Sequence, residues 1–359
     1  MSFLILSLLY FSIIVLGFIL NSKALRLGKV LIYLYILFIF IFCFFLVPNI
    51  DDYSRDFNNY YNWFLKIHYE GVEDGILSKD PLFQYIVYSI QLFFGNNYII
   101  IFSFFFILIS IMKFLFSKQL NIGFYFLIFL WLLFGQTFIL HEITQIRAGL
   151  AIAMCSLFII RDLNVRNNWN FIFILGSYFV HESVVVLIFS YLICIFFRNF
   201  LLRKNVLLFV YFIGIFLGVF FKNIISNYFS IYFIGNVRAS DYLDSTYEGV
   251  FEVSLFSTLF LIKSLSIFVA VYFFDSLNDM KKTIVFFSVV SCFFYSLFSF
   301  NSVFAYRFSE VFIYFSIATM VYPLCIRKLN VEIRYAWFLC LMVLGWIFMY
   351  SSTKILSNN

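Results

Sequence analysis

At 359 residues, 64% apolar, 24% aromatic and only 12% charged, the chain lies far from a soluble globular protein, which carries about a quarter charged and about half apolar residues. Its mean hydropathy of +1.01 and net charge of +6 leave too little polar surface to cover a water-soluble fold. Disorder, a disulfide scaffold, a nucleic-acid-binding module and a cytoplasmic enzyme are excluded, and an all-α polytopic integral membrane protein remains. The apolar runs are unbroken, without the two-residue alternation of an outer-membrane barrel.

A bilayer crossing needs about 20 apolar residues. In chain order the runs predict crossings over 3–20, 30–48, 98–116, 123–140, 142–160, 170–181, 183–197, 206–221, 255–274, 283–300, 305–326 and 335–351, about twelve transmembrane helices in a single transmembrane domain over 1–359. The first run lacks a basic leading region and a small-residue cleavage site, so it reads as an uncleaved crossing. Residues 82–94 are too short to span comfortably and read as re-entrant or interfacial. The sixth and seventh runs are short and meet at His181-Glu182. Two large external loops are expected, over about 49–81 and 222–254. With both termini outside, most Lys and Arg fall on the inner side, among them Lys23, Lys113, Arg161, Arg198, Lys281 and Arg334. That is the asymmetry the positive-inside rule requires. Lys263 is left within a crossing. The six Cys all lie inside apolar runs without a CxxC pair and read as small packing residues.

The external loops mix carboxylates with Tyr, Trp and Asn, a composition that suits a sugar: aromatic faces stack on pyranose rings and carboxylates accept from hydroxyls. Charges at membrane boundaries are more informative, because an ionisable group there is expensive and usually has a task. His141-Glu142, with Gln145 and Arg147, opens the fifth crossing. His181-Glu182 sits at a turn, and Arg307 opens the eleventh crossing. Ala148, Gly149, Ala151 and Ala153 permit close helix packing beside Arg147. A guanidinium held there can grip a phosphate through bidentate hydrogen bonds. His141-Glu142-Ile143-Thr144-Gln145 fails as a zinc motif because Gln145 stands where the second His would be. With only His68, His141 and His181 in the chain, no metal site is expected, and no glycine-rich loop supports nucleotide chemistry.

The order of several short motifs resembles the EpsG-like family of membrane glycopolymer polymerases, the Wzy-type proteins of O-antigen, capsule and exopolysaccharide assembly. They are Asp52-Tyr53-Ser54-Arg55-Asp56-Phe57-Asn58-Asn59-Tyr60, Asp80-Pro81-Leu82-Phe83, Gln145-Ile146-Arg147-Ala148-Gly149, and Phe179-Val180-His181-Glu182-Ser183. The late Arg307 with Tyr314-Phe315 is similar to the family's C-terminal pattern. The family usually has Arg-Gln before its small residues, where this chain has Arg147-Ala148.

The resemblance implies a cofactor-free, metal-independent glycosyltransferase. Its fold would be similar to that of polyprenyl-phosphate-dependent membrane enzymes of the GT-C kind. It would work on the periplasmic face of a bacterial inner membrane, moving a growing glycan from undecaprenyl diphosphate to the terminal sugar of a new undecaprenyl-diphosphate-linked repeat unit. Its implied partners are that lipid-linked oligosaccharide, the bilayer, a flippase and a chain-length co-polymerase, with no nucleic acid. Arg147, Arg307 and Arg55 would hold the diphosphate, while Gln145, Tyr53 and Tyr60 would touch substrate. The base is open among His181, Glu142, Asp52 and Asp56; His181 is favoured because an imidazole titrates near neutrality and its position matches the family's His. A lipid-linked oligosaccharide flippase and an O-antigen ligase are the rival readings. Charges gathered on one face fit an enzyme better than a transport path through the bilayer.

Overall fold

The computed structural model describes residues 39, 41, 43–44, 46–52, 54, 56–72, 79–232 and 251–357. The predicted crossing over 3–20, most of that over 30–48, and most of the second external loop lie outside the described residues. Every element among the described residues is helical. After a short 3-10 turn at Val47–Asp52 come α1 (Phe57–Glu70), α2 (Pro81–Phe94), α3 (Tyr98–Gln119) and α4 (Phe126–Thr137). A π-helical turn, Phe138–Thr144, leads into α5 (Ile146–Asn164) and α6 (Asn168–Val180). Then follow α7 (Val185–Phe196), α8 (Arg198–Leu201), α9 (Lys204–Phe220), α10 (Lys222–Tyr232) and α11 (Thr258–Tyr272). The last are α12 (Asp279–Leu297), α13 (Ser302–Glu310), α14 (Ile313–Cys325) and α15 (Val331–Ser357).

Local sequence chemistry sets several of these starts. Asn97 accepts from the backbone N–H of Ile99 at 3.0 Å, Asn167 from Trp169 at 3.0 Å, and Asn278 from Lys281 at 3.0 Å. Each side chain satisfies a donor that the first helical turn leaves without an intrahelical partner.

Among the described residues, α3, α12 and α15 are long and apolar enough to cross a membrane. Two bent pairs raise the number from three to five if each is one span. These are α9 with α10, bent by 81°, and α13 with α14, bent by 71°. The apolar run read as one crossing over 305–326 is therefore broken near Glu310. Ser291 on α12 donates to the Ser309 carbonyl at 2.9 Å, satisfying backbone exposed by the break. The run over 82–94 is the single short helix α2, as its length suggested. The run over 123–140 stays α-helical only to Thr137 before the π-helical turn. Lys113, counted at sequence level among inner-side charges, is instead a buried residue of α3, because that helix continues to Gln119.

The chain divides into two compact units, one formed by residues up to Val184 together with those from Arg327, the other by Val185–Ile326. In the first, α5 packs between α3 and α6, α2 lies on α6, and α15 returns to pack on α4. In the second, α12 packs against α9, α11, α13 and α14.

The α4–α15 contact is close enough to require glycine. A Cβ on Gly345 would lie 2.0 Å from Trp131 Nε1, and that indole N–H donates to the Met342 carbonyl at 3.3 Å. Gly345→Ala is expected to destabilise the detergent-solubilised protein by about 1–3 kcal/mol, the usual effect of overpacking. Gly176→Ala, whose new methyl would meet only Met154 Cε at 3.6 Å, serves as the neutral comparison in the same thermal-unfolding measurement.

Candidate functional site

The site grows from the start of α2. Asp80 precedes Pro81 and adopts φ 53, ψ 54, a left-handed conformation. Proline disfavours the right-handed helical region for the residue before it, and Asp is one of the few side chains that tolerates the left-handed one. Asp80 stands at the helix start but makes no capping hydrogen bond. Its carboxylate is turned elsewhere, and Gln84 steadies the turn by donating to the Lys79 carbonyl at 2.8 Å.

Two nitrogen-bearing side chains meet this carboxylate. Arg147, on the first turn of α5, places Nη1 against Asp80 Oδ2. His181, the residue that ends α6, lies with Nδ1 3.2 Å from Oδ1 and 3.4 Å from Oδ2. Asp80 is only 6% exposed, so an unmatched charge there would be costly. Burial pushes its carboxyl pKa upward, but the hydrogen bond and charge of His181, and then the Arg147 guanidinium, outweigh burial and hold it below the usual carboxylate range. An ionised carboxylate only accepts, so the Nδ1 facing it carries the imidazole proton.

Aromatic rings complete the surroundings of Arg147. Its guanidinium carbon lies 4.8 Å from the centre of the Trp63 ring and 5.5 Å from that of Tyr60. Nε donates to the Tyr60 hydroxyl at 3.4 Å. Trp63 in turn stacks on Phe83 with centroids 5.4 Å apart, which ties α1 to α2 beside the ion pair. Gly149 allows the approach from the other side. A Cβ there would sit 2.5 Å from the His141 carbonyl oxygen, so only glycine lets the π-helical turn lie against the first turn of α5.

The structure thus brings Arg147, His181 and Tyr60 together around Asp80. Sequence reasoning missed Asp80 as a site residue, although its position before Pro81 and its place in the Asp80-Pro81-Leu82-Phe83 motif were the available signals. Gln145 is the half-buried residue that opens α5, two positions from Arg147. Asp56 precedes α1 and interacts electrostatically with Tyr60, whereas Asp52 is exposed in the 3-10 turn. Glu142 is not at an open helix end: it is 2% exposed and pairs with Lys113. Arg307 is exposed on α13, in the second unit. Arg55 and Tyr53 lie outside the described residues. Among the described residues no group of three His, Cys, Asp or Glu could hold a metal ion.

Because the folded-state pKa of Asp80 is lowered, its contribution to stability is complete above its unfolded value of about 3.9 and is lost as pH falls through the folded value. The stability gap between wild type and Asp80→Asn is expected to narrow as pH falls below about pH 4. Thermal unfolding across that range measures it; a gap that stays undiminished down to about pH 2 would contradict the ionised carboxylate.

The model of the EpsG family matches residues 32–359. No curated protein and no solved structure matches the chain. The chain belongs to the EpsG family, and with its apolar helices it is a membrane protein of polysaccharide biosynthesis.

Proposed function

We propose that this EpsG-family protein is a repeat-unit polymerase, transferring a growing glycan from undecaprenyl diphosphate to the terminal sugar of a new lipid-linked repeat unit. The observation that carries the reading is the Asp80 carboxylate held between Arg147 and His181, beside Trp63 and Tyr60. The chemistry needs a base for a sugar hydroxyl, a cation for a departing diphosphate and an aromatic surface for a ring. All three are within one cluster.

In this mechanism Asp80 fixes the imidazole so that Nε2 faces the acceptor hydroxyl with its lone pair. As the hydroxyl oxygen attacks the anomeric carbon of the donor sugar, Nε2 takes the hydroxyl proton. The bond between the anomeric carbon and the phosphate oxygen breaks, and undecaprenyl diphosphate leaves with that electron pair. Arg147 stabilises the charge that accumulates on it. Its Nη1 and Nε are engaged by Asp80 and Tyr60, and Nη2 has no hydrogen bond among the described residues, so Nη2 is the donor offered to phosphate. Arg55 is proposed as a further diphosphate ligand. Tyr53, Tyr60 and Gln145 are proposed as substrate contacts.

The proposal keeps the twelve-crossing thread, the GT-C-like architecture and a periplasmic site on the inner membrane. Exposed aromatic and aliphatic side chains on α2, including Tyr85, Leu92 and Phe93, supply an apolar surface for the polyprenyl tail next to the site.

Deletion of the gene in its own host, with surface polysaccharide resolved by electrophoresis, tests the reading. A polymerase leaves a single repeat unit attached to its acceptor. A flippase defect leaves lipid-linked units inside, and a ligase defect leaves polymer on undecaprenyl diphosphate outside. Complementation with Arg147→Ala or His181→Ala is expected to lower polymer formation by about a hundredfold or more, with the protein still in the membrane. Normal polymer from either variant would remove that residue from the mechanism.

A further inference from the structure

Away from the proposed acceptor and donor groups, the first unit buries a second set of charges. Lys113 is 3% exposed, Glu142 2% and Thr137 fully buried. Lys113 Nζ, coming from α3, donates to Glu142 Oε1 at 2.5 Å and to Thr137 Oγ1 at 2.6 Å. Thr137 donates its own hydroxyl proton to the Leu133 carbonyl at 2.7 Å, which leaves its oxygen free to accept. Thr137 is the last residue of α4, and Glu142 lies inside the π-helical turn that follows. One ammonium therefore binds residues on both sides of the point where the helix widens.

Burying two ions costs several kcal/mol each before their attraction is counted, and apolar side chains of similar volume often hold a bundle together as well. An ion pair retained in so apolar a chain needs a reason other than stability. The π-helical turn supplies one. Such turns are rare, are held by their context and tend to occur beside functional sites. Here the turn ends when the Gln145 N–H reaches the Leu140 carbonyl, and α5 begins one residue later. The His141 backbone then lies directly against Gly149. Arg147, between Gln145 and Gly149, is aimed at Asp80 by the geometry of this turn.

We propose that Lys113, Thr137 and Glu142 are positioning residues that lock the π-helical turn and so set the direction of Arg147. The pair touches neither Asp80 nor His181, so its effect on the reaction passes through Arg147. The inference rests on the polymerase reading for its kinetic consequence and on the turn alone for its structural one. It also assigns Glu142 a role other than base.

The test uses the full-length protein in detergent or nanodiscs, with an undecaprenyl-diphosphate-linked repeat unit as substrate. Glu142→Gln and Lys113→Met are each expected to lower kcat/KM by about tenfold or more. The shape of the pH–rate profile should be unchanged. Amide hydrogen exchange over residues 138–149 should accelerate by about tenfold, while exchange over 174–180 stays at the wild-type rate. Lys113→Arg, which keeps both donors, should restore slow exchange. If Glu142→Gln fails to accumulate, Thr137→Val removes one tie and leaves the ion pair, and should show the same pattern more weakly.

Unchanged exchange and kcat/KM in Glu142→Gln, or in Thr137→Val where that variant is used, would overturn the proposal. So would a pH–rate profile that loses its acid limb in Glu142→Gln, since Glu142 would then take the proton itself. Failure of the polymerase reading looks different: the wild type would not turn over this substrate, yet the exchange difference over 138–149 would persist.

Discussion

A charge buried among apolar helices has to be matched by another charge, and the first unit of this protein is organised by two such matches. Asp80 is satisfied only when α2, α5 and α6 meet, because its partners Arg147 and His181 come from the start of α5 and the end of α6. Lys113 is satisfied only when α3 meets the end of α4 and the turn beyond it. Apolar packing fixes these helices through shape, and the buried charges add a directional requirement to it. Buried ion pairs do not tolerate slippage, because a lost partner leaves an uncompensated charge.

The two matches have different characters. The Asp80 cluster is partly open: the side chains of Arg147 and His181 are each 20% exposed, and Trp63 is half-buried beside them. Groups placed in this way can exchange a protein partner for a substrate group. The Lys113 cluster is closed, with an ammonium, a hydroxyl and a carboxylate held at 2.5–2.6 Å and no comparable exposure. An accessible constellation backed by a closed, buried one is an arrangement suited to holding a cation in a fixed direction.

Backbone irregularity is concentrated at the same places. Asp80 takes a left-handed conformation before Pro81, and the chain widens into a π-helical turn just before Arg147. Both lie immediately ahead of the helix whose start they define. At Asp80 the capping role is given up so that the carboxylate can face Arg147 and His181. At the π-helical turn an extra residue is accommodated, and the absence of a side chain on Gly149 lets the wider turn lie against α5.

Composition and apolar run length by themselves determined that this chain is a helical membrane protein, because 12% charged residues cannot cover a soluble fold. They also located α2 and α3 closely, since run length sets helix length when few breakers intervene, and placed the middle of α15. Motif order pointed to the family, and the chemistry of the boundary charges put forward Arg147, Arg307 and Arg55 for a diphosphate, with the base left open among His181, Glu142, Asp52 and Asp56. Three things needed the tertiary structure. The bend between α13 and α14 has no Gly or Pro at the break, and the polar Arg307, Ser309 and Glu310 just ahead of it do not by themselves give its angle. Lys113 and Glu142 are 29 residues apart, and hydropathy assigns each to a membrane boundary without knowing that they meet. Asp80 stands 67 residues from Arg147 and 101 from His181, and looked like one more polar loop residue. Sequence patterns report what each residue prefers within its own helix or loop, whereas the partner of a buried charge is decided by which helices pack together.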